Sequence, residues 1–70
     1  MDIHNSAVQD HIVRLAVSIP MAAYKLSVSP RHVYTLIETG ELKSFTSGRR
    51  RLISLGEIEK YIVERMEEEI

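Results

Sequence analysis

The apolar positions of this 70-residue chain fall into short helical stripes separated by tight polar breaks, with one later stretch that reads as paired strands. The clearest stripe is the last. Leu55, Ile58, Ile62 and Met66 recur at three- and four-residue steps, which places them on one face of a helix, with Tyr61 at the edge of that face. Ser54-Leu55-Gly56-Glu57 in front of it has the form of a capping box, in which the serine oxygen and the glutamate carboxylate each satisfy an orphan backbone N–H. The run Glu67-Glu68-Glu69 adds negative charge where the helix dipole is already negative, so this end is expected to fray.

Upstream, Ser29-Pro30 is a second helix start. Serine is a preferred N-cap, and proline in the first helical position has its φ preset and loses no hydrogen bond. Val33, Leu36 and Ile37 then point inward, and Gly40 ends the helix in a left-handed conformation. Ser18 caps an earlier short helix that tolerates Pro20 in its first turn and turns Ala22, Ala23 and Leu26 inward. Only Ser27 and Val28 separate the two helices, and the alanines let their backbones approach closely, which is the sequence form of a helix-turn-helix. After Gly40, the stretches Lys43 to Thr46 and Arg51 to Ile53 flank Ser47-Gly48-Arg49-Arg50 and read as a hairpin, that is, a wing. In the first 17 residues Val8, Ile12 and Leu15 fit a helical stripe after Ser6, while Ile12, Arg14 and Ala16 with Leu15 and Val17 fit a strand less cleanly, so a short helix is expected there. The pattern as a whole predicts an α+β, mainly α fold: a small winged helix-turn-helix with a two-stranded wing and a C-terminal helix. It divides into an appendage over residues 1–16, a core over 17–66 and an acidic tail over 67–70.

Length and charge narrow what such a fold does. A 70-residue chain is one domain at most and buries roughly 60% of its unfolded surface, which leaves little room for a large catalytic cleft. There is no cysteine, hence no disulfide framework and no thiolate metal site. No apolar run reaches the ~18 residues of a spanning helix, and the first residues, Met1-Asp2-Ile3-His4, lack the basic-then-apolar order of a signal peptide. A cytoplasmic protein is the expectation. The net charge of -1 conceals a strong asymmetry. Residues 25–51 carry Lys25, Arg31, Lys43, Arg49, Arg50 and Arg51 against Glu38 and Glu41, for a net +4. Residues 52–70 carry Lys60 and Arg65 against six glutamates, for a net -4. The middle of the chain is therefore suited to a polyanion and its end is not.

On the second of the paired helices, burying Val33, Leu36 and Ile37 leaves Arg31, Tyr34, Thr35 and Glu38 outward, a face suited to the major groove of duplex DNA. Arg31 has the donors for guanine or phosphate and Thr35 suits a base edge or a thymine methyl; Tyr34 and Ser29 reach phosphate oxygens, and His32 flanks the surface. In the wing, Lys43, Gly48, Arg49, Arg50 and Arg51 fit phosphate clamping or insertion into a narrow minor groove. Strand alternation places Arg49 and Arg51 on one side and Arg50 on the other. Tyr24, Phe45 and Tyr61 read as core and rim rather than as stacking platforms for single strands. His4, His11 and His32 lack metal-ligand spacing, and no phosphate loop, nucleophile elbow or paired acid is present, so neither metal, cofactor, small-molecule ligand, membrane nor enzyme activity is expected.

Val17-Ser18, Ala22-Ala23, Leu26, Val28-Ser29, Val33-Tyr34, Leu36-Ile37, Gly40-Glu41-Leu42, Gly48-Arg49-Arg50, Ile53 and Ile58 to Ile62 together resemble the excisionase-type branch of the MerR-like winged helix proteins. The resemblance runs in unbroken register over roughly residues 17 to 63. It implies a recombination directionality factor of a phage or mobile element, acting in a bacterial host cell. Such proteins bind attachment-site DNA cooperatively as several copies, bend it, and help a tyrosine integrase excise the element. By position, Arg31, Tyr34 and Thr35 match the groove-facing surface, and Arg49, Arg50 and Arg51 match the wing. Pro20-Met21 stands where acidic residues are usual in that family, and Thr35 where a longer basic side chain is common, so shape and phosphate contacts are expected to carry more of the recognition. The competing expectations are a small phage transcriptional regulator of the same fold, and a protein-interaction module that docks through the acidic last helix. A MerR-type sensor would need a long dimerisation helix and an effector-binding segment beyond this core.

Overall fold

The computed structural model describes residues 15–69, and the expected helix around Val8 and Ile12 lies outside them. The described chain runs β1 (Ala16–Ser18), α1 (Ile19–Leu26), α2 (Pro30–Glu38), β2 (Phe45–Ser47), β3 (Arg50–Ser54) and α3 (Leu55–Glu68). The three strands form one antiparallel sheet in the order β1-β3-β2. The wing hairpin is thus the outer part of a three-stranded sheet. Strand β1 was not expected. Ala16 and Val17 belong to it, pairing with Ser54 and Ile53, because the helical periodicity weighed over residues 1–17 does not extend to this short segment.

All three helices begin on a serine in extended conformation whose side chain accepts a backbone N–H three residues on. Ser18 caps α1 through Met21, Ser29 caps α2 through His32, and Ser54 caps α3 through Glu57. Each cap satisfies one of the donors that a helix start leaves orphaned. The end of α2 is as expected: Gly40, at φ +84°, donates to the Ile37 carbonyl while the Glu41 N–H returns to Leu36, a Schellman arrangement. The end of α1 is built in the same way around a residue that is not glycine. Ser27 sits at φ +60°, its N–H bonded to Tyr24 and that of Val28 to Ala23. That one left-handed residue makes the sharp turn between the paired helices.

The core consists of Val17, Ile19, Ala22, Ala23, Val33, Leu36, Leu42, Ile53 and Ile58. Ala22 and Ala23 are buried where α1 meets α2, and the lack of bulk there lets the two helices approach. Val17 and Ile53 face each other across β1 and β3 and set the inner face of the sheet. Leu26, Val28, Ile37, Leu55 and Tyr61 pack around this centre.

The last helix departs from its expected stripe. Ile58 is buried and Leu55 and Tyr61 pack on the core, but Ile62 and Met66 are exposed, Met66 to 64%. Past Tyr61 the helix outruns the described core, so continued apolar spacing meets no described partner. The capping box is also only half formed. Ser54 caps the Glu57 N–H at 3.1 Å, but the Glu57 carboxylate accepts from the backbone N–H of Lys43, 3.0 Å away, instead of turning back on its own helix. The aromatics divide as well: Tyr61 packs on the core, whereas Tyr24 is 79% exposed and Phe45 stands outside the core.

Candidate nucleic-acid interface

Two elements carry the residues singled out from the sequence. Burial of Val33 and Leu36 fixes the rotation of α2 and leaves Arg31, His32, Tyr34, Thr35 and Glu38 exposed along its outer side. Tyr34 is half-exposed on that side. The Thr35 hydroxyl donates to the Arg31 carbonyl at 3.2 Å, the back-bonding open to a threonine in a helix. That donor is committed to the helix backbone, which leaves the hydroxyl oxygen and the methyl group as its outward chemistry. Ser29 accepts from the His32 N–H as N-cap, and its own O–H remains able to donate to a phosphate oxygen at the start of the helix.

The wing turns on two residues. Ser47 pairs with Arg50, so Gly48 and Arg49 alone form the connection. Gly48 has φ +63° and Arg49 does not share a positive φ, the pattern of a type II′ turn with glycine in its first central position. The hairpin is therefore one step tighter than expected: Arg50 and Ser47 are already strand residues, and Arg49 lies in the turn itself. Strand alternation then applies to Arg50 and Arg51 only. Arg51 lies on the same sheet face as Ile53, and its Nη1 donates to the Ser44 hydroxyl at 2.7 Å. Arg50 lies on the opposite face with Leu52, where both border an open groove with Met21 and Ser18.

Lys43, Gly48, Arg49, Arg50 and Arg51 are all exposed. Among the described residues the ion pair formed is Arg65 with Glu68 on α3, so the wing arginines are not neutralised by a described carboxylate. The described surface accordingly places the cations of the wing and of α2 on separate elements from the glutamate-rich α3. No group of three metal-ligating side chains is assembled among the described residues, and no described helix is long and apolar enough to cross a membrane.

Two contacts in this region were not expected from the sequence. Glu57 reaches Lys43 across fourteen positions, and Arg51 reaches Ser44 across seven. The second has a faint signal, since a hairpin brings the residues before β2 alongside β3. The first has none, because a glutamate three residues after a serine cap reads as a local partner of its own helix.

Comparison with curated proteins and with solved structures returns no match. A family described as a helix-turn-helix domain matches residues 17–66, which takes in the whole span from within β1 to the third helix. Such domains bind double-stranded DNA and are typically not enzymes. The serine-capped α1 and α2, the left-handed turn at Ser27 and the arginine-bearing hairpin fall within that match, and the chain belongs to the helix-turn-helix domain family.

Proposed function

We propose that this protein grips duplex DNA with two elements, the outer side of α2 in the major groove and the Gly48–Arg51 wing on the phosphates or in the adjoining minor groove. Within it, Arg31 and Thr35 contact base edges, Ser29, Tyr34 and His32 contact or flank the backbone, and Lys43, Arg49, Arg50 and Arg51 supply phosphate contacts. The observation that carries this reading is the pairing of an exposed Arg31–Tyr34–Thr35 face with a hairpin whose turn and first strand residues are three consecutive arginines. The DNA-binding core is read as residues 17–66 with appendages on either side, although Ala16 already pairs with Ser54 in the sheet and α3 continues to Glu68.

The biological role we assign is that of an accessory factor for excisive site-specific recombination, bending attachment-site DNA in several cooperative copies so that a tyrosine integrase excises its element. It is supported by the excisionase-like residues between Val17 and Ile62 and by economy of contact: a single domain with one groove element makes a small interface, and useful specificity then calls for neighbouring copies. An in vitro excision reaction with the integrase encoded beside this protein tests it. Excision that rises sharply when the protein is added is the expected result. Occupied DNA with unchanged excision would instead assign the domain to transcriptional control, and strictly independent single-site binding in a mobility-shift series would remove the cooperative part.

A further inference from the structure

We infer that Glu57 is a positioning residue for DNA binding: from the first turn of α3 it fastens the segment between the recognition helix and the wing, and so sets where the wing arginines stand. The inference rests on the proposal that the wing contacts DNA.

That segment, from Gly40 to Ser44, has no regular secondary structure, yet three successive residues in it are held by three different parts of the fold. The Leu42 side chain is buried in the core, with 1% of its surface accessible. The Lys43 N–H donates to Glu57 Oε1 of α3 at 3.0 Å. The Ser44 hydroxyl accepts from Arg51 Nη1 of β3 at 2.7 Å. Phe45 then opens the wing. Without the Glu57 contact the wing would remain joined to β1 through β3, but the peptide entering it from α2 would lose its bond to the third helix. A charged acceptor on a backbone N–H is among the stronger single hydrogen bonds, and Glu57 is partly shielded from solvent. The carboxylate is an anion that would itself repel phosphate, so a loss of DNA affinity on its removal cannot come from a lost DNA contact.

The test is a double-mutant cycle on duplex binding with the full chain, combining Glu57→Ala with the wing pair Arg49→Ala and Arg50→Ala. If Glu57 acts through the wing, Glu57→Ala weakens binding by about tenfold in the native background, the scale of one hydrogen bond to a charged group, and by less than about twofold once the two arginines are gone. Glu57→Gln keeps an acceptor oxygen and should stay within about twofold of the native affinity. A merely structural role would predict the same loss in both backgrounds, and that result overturns the inference, as does an unchanged affinity of Glu57→Ala. If the arginine pair itself binds like the native protein, the wing reading fails first and the positioning role falls with it. Should Glu57→Ala fail to fold, amide exchange in the native protein decides: slow exchange at Lys43 upholds the fastening, and free-loop exchange there overturns it.

Discussion

Replacing Ser27 with glycine should make the protein more stable. Ser27 is the residue on which α1 turns into α2, and it occupies the left-handed region at φ +60°, with its N–H and that of Val28 returning to Tyr24 and Ala23. For an L-residue with a side chain that conformation costs roughly 1–2 kcal/mol, because Cβ crowds the neighbouring carbonyl. Glycine avoids the clash but loses more chain entropy on folding, an opposing effect of roughly 0.4–1 kcal/mol. Ser27 is exposed, so deleting its hydroxyl leaves no cavity. The net expectation is a gain of about 0.5–1 kcal/mol, which for a domain of this size raises Tm by about 3–6 °C. A thermal melt followed by far-UV circular dichroism, with a urea titration to confirm that the m-value is unchanged, measures it. A lower Tm for Ser27→Gly would refute the strain argument and would mean that the serine side chain stabilises the turn.

The same reasoning with opposite sign applies to Gly40→Ala: at φ +84° a new Cβ meets nothing within 4 Å, so the expected loss of about 1 kcal/mol in chemical denaturation is wholly conformational. Leu42→Ala should lower the unfolding free energy by about 3 kcal/mol, a large share of what so short a chain possesses, and its urea midpoint should fall accordingly. Ser29→Ala removes the cap on the recognition helix and should cost about 1 kcal/mol by the same titration. Met66→Gln, at an exposed position of α3, should change stability by less than about 0.5 kcal/mol, and a loss of several times that would show the end of the helix to be packed.

The local features of this fold were legible because they are governed by neighbours in sequence. Ser18, Ser29 and Ser54 each lie where an extended residue must supply an oxygen to a helix start, and Gly40 and Gly48 lie where φ is positive. Helical spacing gave the inward residues of α1 and α2 except Ile19, which is buried at the start of α1 and was not in the expected set. What escaped depends on partners distant in sequence. Strand β1 is only three residues long and pairs with the edge of β3, so the weak alternation of Ala16 and Val17 could not outweigh the helical stripe upstream. Ile62 and Met66 carry the spacing of a buried stripe, but spacing cannot say where the opposing surface stops. Glu57 satisfied a local motif and was spent on a distant backbone group instead. At the interface, the exposed residues of α2 and the wing were identifiable from the sequence; the two-residue turn that moves Arg49 out of the strand alternation was not, because it depends on register.

The most direct test of the DNA-gripping surface is the salt dependence of duplex binding, measured by fluorescence anisotropy for the native protein and for the Arg49→Ala, Arg50→Ala pair. About five phosphate contacts give a slope of log K against log salt near -4 to -5, and removing two of them should lower its magnitude by about 2. A native slope near zero, or one that the arginine pair leaves unchanged, would contradict a wing that holds DNA through its phosphates.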